Sequence, residues 1–158
     1  MISQQGIGSA RLDQTVESFF AMCPSAARVW DLGDEAIPEP ATIGLWGHTV
    51  VEVVFQDTLP QSRVSRIMVE DSTAHFAGGV APGASLNAFE VAFGRVTIEE
   101  RECALHAGFQ RTRGIEVWLG VSREIDCTQT VALADSIVTG KLRTGVRAGR
   151  VTIFAPGP

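Results

Sequence analysis

The sequence has no excess of positive charge: thirteen Lys and Arg against eighteen Asp and Glu leave a formal net charge of −5. Without a basic field to neutralise phosphates, nucleic acid is not expected as a partner. The locally basic run GKLRTGVRAGR from Gly140 reads instead as a solvated strand edge kept from aggregating by its charges. No apolar run approaches the ~20 residues of a membrane-spanning helix. The N-terminal MISQQGIGSARL lacks the basic and apolar regions of a secretory signal, which leaves export through a removed leader open. Cysteine is scarce, and Cys23, Cys103 and Cys127 form no CxxC pair. A structural zinc site or a thioredoxin-type motif is therefore not indicated.

Catalytic patterns are missing as well. There is no G-x-S-x-G elbow, no S-x-x-K and no Walker or dinucleotide loop around GIG or GG. Cys23 falls near the C-terminal end of a predicted helix, where the dipole disfavours a thiolate. His48 falls in a predicted turn and His75 in a loop. Cys103 and His106, three apart in a predicted strand, point to opposite faces and make a poor joint metal site. The acids Asp31, Asp34, Glu35 and Glu39, and again Glu99, Glu100 and Glu102, read as solvated loop charge. No metal or cofactor is called for, and an enzyme is the less favoured reading.

What is present is a phrase used twice. RLDQTVESFF from Arg11 and APGASLNAFE from Ala81 align at a shift of seventy residues, Thr15 on Ser85, Val16 on Leu86 and Phe19 on Phe89. Thr and Ser are good N-caps, and the apolar residues that follow have helical spacing. With Pro24 and Gly94 as stop signals, two short helices are predicted near 15–23 and 85–93. Strand-like text follows each: ATIGLWG, TVVEVVFQ and RVSRIMVED, then ECALHAGF, GIEVWLGV and GRVTIFA. Thr49, Val51, Val53 and Phe55 share one strand face, as do Ile115, Val117, Leu119 and Val121, which leaves Glu116 and Trp118 opposite. The expected fold class is α+β: two tandem helix–β-meander units forming one antiparallel sheet with short helices packed on one face. The chain then forms a single domain, residues 1–158, of two repeats at about 6–72 and 76–158, the second with an insert near 122–147.

This organisation resembles the β-lactamase inhibitor protein fold, shared by the small lipoprotein of the outer-membrane β-barrel assembly machinery. The Gly83-Ala84-Ser85-Leu86 stretch matches the opening motif of such envelope proteins, while Asp13 departs from it at the glycine. The resemblance implies a periplasmic or secreted binding protein. Its sheet face grips a partner and a first-repeat hairpin carries an aspartate, a place that Asp57 occupies here. The inhibitor's contact surface is rich in tyrosine, however, and this chain has none, so generic binding is expected rather than β-lactamase inhibition. Cys103 and Cys127 bracket a hairpin and are disulfide candidates, which a disulfide in each repeat of the inhibitor supports; two reduced thiols are the alternative.

Strand alternation sets Trp46, Trp118 and Phe154 on the sheet face away from the helices, with His48 and Asp57 at hairpin tips. These five are the candidate partner-binding residues. Two arrangements compete there: an exposed aromatic patch, or a second small core beneath the insert. The functional expectation is a non-enzymatic extracytoplasmic module that contacts a protein or envelope partner through a sheet face and hairpin tips. A small-molecule pocket or small enzyme between sheet and insert, and a homodimer closing the free face, are the alternatives.

Overall fold

In a computed structural model, residues 1–24, 26–32, 38–46, 49–101, 104–119, 134, 137 and 146–155 are described. The chain opens with three two-residue strands, β1 (Ile2–Ser3), β2 (Gly6–Ile7) and β3 (Ala10–Arg11), paired in order as a small antiparallel sheet. Helix α1 (Val16–Met22) follows, with the Thr15 side chain accepting a hydrogen bond from the Ser18 N–H. Then come β4 (Ala27–Leu32), β5 (Pro38–Trp46), β6 (Thr49–Phe55) and β7 (Val64–Val69). Helix α2 (Leu86–Phe93) is capped in the same way, Ser85 accepting from the Ala88 N–H, and stops at Gly94 with φ +85°. The strands β8 (Val96–Arg101), β9 (Ala104–Phe109), β10 (Thr112–Leu119) and β11 (Ala148–Phe154) complete it.

The eight long strands form one antiparallel sheet in the order β4-β5-β6-β7-β11-β10-β9-β8. The last strands of the two meanders meet at its centre, Val69 opposite Val151 and Ile67 opposite Ile153. The helix starts have like surroundings. Thr15 bridges Arg63, whose guanidinium donates to the Asp13 carbonyl; Ser85 bridges Arg147, which donates to the Gly83 carbonyl.

The α+β expectation is corrected by this architecture. The chain is mostly β, with two helices of 7 and 8 residues and two separate sheets rather than one. The physical reason lies in what closes the core. Two-turn helices cannot cover eight strands. Ile2, Ile7, Ala10 and Leu12 of the small sheet region, Ala74, Phe76 and Val80 of the β7–α2 connection, and Ile137 join Phe19 and Phe89 in a single buried cluster. Two segments read as charged loops are strands as well. Asp31 pairs with Glu39 in the β4–β5 ladder, and Glu99 and Glu100 lie in β8.

The opposite face of the large sheet is not bare. Ala41, Val54 and Met68 form a second buried cluster there, and Thr152 and His106 are 2% and 6% exposed. None of the exposed large apolar residues found among the described ones, Met1, Met22, Leu59 and Val91, belongs to this face. Of the expected aromatic residues of this face, Trp118 and Phe154 are half-buried. The insert does not supply this cover where it is described, because Ile137 belongs to the main core, with Ala134 packed against it.

Candidate functional site

Strand register assembles the outer-face residues of the second half. In antiparallel strands, directly opposed residues share a face and sit within side-chain reach. Trp118 of β10 lies opposite His106 of β9 on one side and Arg150 of β11 on the other. The His106 and Trp118 rings meet edge-on, 4.7 Å between centroids, and the Arg150 guanidinium lies 5.1 Å from the Trp118 ring. That is cation–π geometry. Arg150 is held from its far side by Glu70, with Nε and Nη2 each 2.7 Å from one carboxylate oxygen.

Two residues before Trp118, Glu116 contacts the His106 Nδ1 with Oε1, and its Oε2 accepts from Arg101 Nη1 at 3.0 Å. Arg101 also donates from Nε to Glu99 at 3.2 Å. Burial pushes the Glu116 carboxyl up, but the His106 hydrogen bond and charge, followed by Arg101, hold it below the usual carboxylate range. The result is a continuous strip, Glu99–Arg101–Glu116–His106–Trp118–Arg150–Glu70, running from β8 to β7. Its centre is buried or half-buried. Its rim is open, with Glu70, Glu99 and Arg101 side chains 64%, 55% and 53% exposed.

The His106–Glu116 pair has the form of a base and its orienting carboxylate. The imidazole, however, is buried against the Trp118 ring, and the nearby Thr152 hydroxyl is itself buried. No cluster of three or more His, Cys, Asp or Glu suited to a metal occurs among the described residues.

The expected site residues are scattered. Trp118 is in the strip, half-buried under Arg150. Phe154 stands on the same face, opposite Arg66, but four residues further along β11 than the Arg150 position. Asp57 is in the β6–β7 hairpin loop, exposed, and accepts from the Thr58 N–H at 2.6 Å. Trp46 pairs with Thr49 in the β5–β6 ladder, and its side chain lies outside the described ones. Ile43 and Leu45, expected toward the helices, stand opposite Glu52 and Val50. His48, Cys103 and Cys127 lie outside the described residues. Cys23 is a half-buried free thiol, 3.8 Å from the Ser9 hydroxyl, and His75 is exposed beside the Thr73 carbonyl. Sequence reasoning found Trp118 and its alternation with Glu116 but missed Arg101, Arg150 and Glu70, which arrive from other strands.

No family model matches the chain, and no curated protein matches it. Among solved structures it is similar to the uncharacterized protein YfeY from Escherichia coli, at 15% identity and a TM-score of 0.63, covering 98% of this chain and 99% of that one. At that identity the likeness shows the fold alone and conveys no activity or partner.

Proposed function

We propose that the protein is a non-enzymatic binding module working outside the cytoplasm, and that it engages a protein partner through the outer face of β7–β11 around Trp118. The observation that carries this reading is the setting of Trp118: clamped between His106 and Arg150, half-buried, and ringed by exposed charges of both signs. An aromatic and an arginine already held in place, with a polar rim to exclude water, match the make-up of interface hot spots. Mixed rim charges favour a protein surface with complementary pairs over a uniformly charged polymer. The Asp57 loop supplies a second, peripheral contact. The proposed location outside the cytoplasm is supported only by the likeness of the Gly83-Ala84-Ser85-Leu86 stretch to the opening motif of envelope proteins.

The test is affinity capture from an envelope extract with the wild type beside Trp118→Ala and Arg150→Ala, each first checked for an unchanged thermal midpoint. A partner recovered by the wild type and reduced at least about tenfold by Arg150→Ala is the expected result. Equal recovery by all three proteins, or no specific partner for the wild type, overturns the reading. Light scattering on the same samples identifies a second copy as the partner if the wild type dimerises and Arg150→Ala does not.

A further inference from the structure

A second place in the molecule has the make-up of a ligand site and uses no part of the Trp118 strip. A cleft of about 580 Å3 lies at one end of the large sheet. The β1–β2 turn brings Gln4 and Gln5, the approach to α1 brings Asp13, the base of the β6–β7 hairpin brings Gln56 and Arg63, and the end of β11 brings Phe154. We propose that this cleft binds a neutral saccharide.

The fold's own requirements account for only part of this lining. The Arg63 guanidinium donates to the Asp13 carbonyl, and Arg147 makes the same bond to Gly83 at the start of the second helix, at 2.9 Å. Glycine suffices there, so the joint needs the backbone of position 13 and not its carboxylate. Gln4, Gln5, Asp13 and Gln56 are exposed, and among the described residues their side-chain polar atoms have no protein partner. Their hydrogen-bonding capacity is unspent.

The chemistry of the unspent groups selects the ligand. Asp13 and Arg63 cancel in charge, which disfavours phosphates and metal ions alike. Three primary amides offer paired donors and acceptors, a carboxylate accepts from two hydroxyls at once, and the Arg63 guanidinium, one nitrogen of which donates to the Asp13 carbonyl, has further N–H donors. That set suits vicinal hydroxyls, each of which both donates and accepts. Leu12, Val64 and Phe154 give the cleft its apolar lining, which suits the C–H face of a pyranose. The volume falls within the range of small-molecule sites, about 300–1,000 Å3. An extended peptide is disfavoured, because β6, β7 and β11 are each paired on both sides and offer no free edge for strand addition.

The test is a titration of the isotope-labelled full chain, followed by amide NMR, with chitotriose, maltotriose and cellotriose as separate probes. Expected are saturable shifts at Gln4, Gln5, Asp13 and Gln56 with at least one of them. Asp13→Asn and Phe154→Ala should each weaken it at least about tenfold, the size expected when a central polar or aromatic contact is lost. Arg150→Ala, which disables the proposed protein-binding strip, should leave it unchanged. Should Phe154→Ala fail to fold, Asp13→Asn and Gln56→Ala carry the comparison, since both alter exposed side chains. No saturable shift with any of the three sugars, or equal affinity in Asp13→Asn and Gln56→Ala, overturns the proposal.

Discussion

Glu116 is where single-residue energetics are sharpest, because burial and pairing act on it in opposite directions. Desolvation favours its neutral form, while His106 and Arg101 favour the charged form and prevail. A carboxyl held below its unfolded pKa stabilises the fold above the ordinary carboxylate range and loses that contribution as pH falls through the depressed folded value. Glu116→Gln should therefore lower stability near neutral pH by about 1–3 kcal/mol, the cost of weakening the hydrogen bond to the buried His106. The gap to wild type should close below the carboxylate range; urea unfolding across a pH series measures it, and a gap that persists in acid contradicts the assignment. Two glycines make a matched pair at the same scale. Gly114, in the irregular stretch of β10, has φ +80°, and a Cβ there would come 2.7 Å from the Phe154 carbonyl oxygen. Gly108 would direct its Cβ into open space. Gly114→Ala is expected to cost about 1–3 kcal/mol, and Gly108→Ala to stay within about 0.5 kcal/mol. Thermal midpoints of the two variants decide whether backbone strain, rather than any added methyl, is the cause.

The elements differ in how plainly the sequence announces them. Both helices begin at hydroxyl caps and stop by Cys23 and Gly94, close to where the capping residues and stop signals place them. Thr15→Ala and Ser85→Ala should each cost about 1 kcal/mol, read by denaturant unfolding; a cost at only one of them means that the two caps do different work. Interior strands such as β6 and β10 show through their alternation because one face is fully buried. The two outermost strands do not. β4 pairs with a proline-bearing β5 and carries Asp31, and β8 carries Glu99, Glu100 and Arg101, the composition that keeps edges from pairing with strangers and makes them read as loops. The three strands of the first sheet, at two residues each, are too short for any periodicity. Site residues follow the same logic. Trp118 and Glu116 are legible as alternating neighbours in one strand. Their partners come from β8, β9, β11 and β7, and a linear reading cannot supply the register that joins them.

At the scale of the whole molecule, the central β7–β11 ladder joins two halves that share one interior. Phe19 of α1 meets Phe55 of β6 with ring centroids 5.4 Å apart, and Phe89 of α2 meets Phe109 of β9 at 5.8 Å. All four rings belong to the same buried cluster as Val69 and Val151. Removing apolar surface from water is the main force holding such a chain together, and neither half can complete that burial without the other's strands. Truncation in one half should therefore be felt in the other. Phe19→Ala, at a position with no solvent exposure, should cost about 3–5 kcal/mol. In native-state amide exchange that loss should appear equally at Val53 in the first half and at Leu105 and Val117 in the second, all three fully buried, because amides exposed only by global opening report the same free energy wherever they sit. Accelerated exchange confined to β6 and α1, with Leu105 and Val117 unchanged, would mean that each half opens alone and that the central ladder couples them too weakly to make one folding unit.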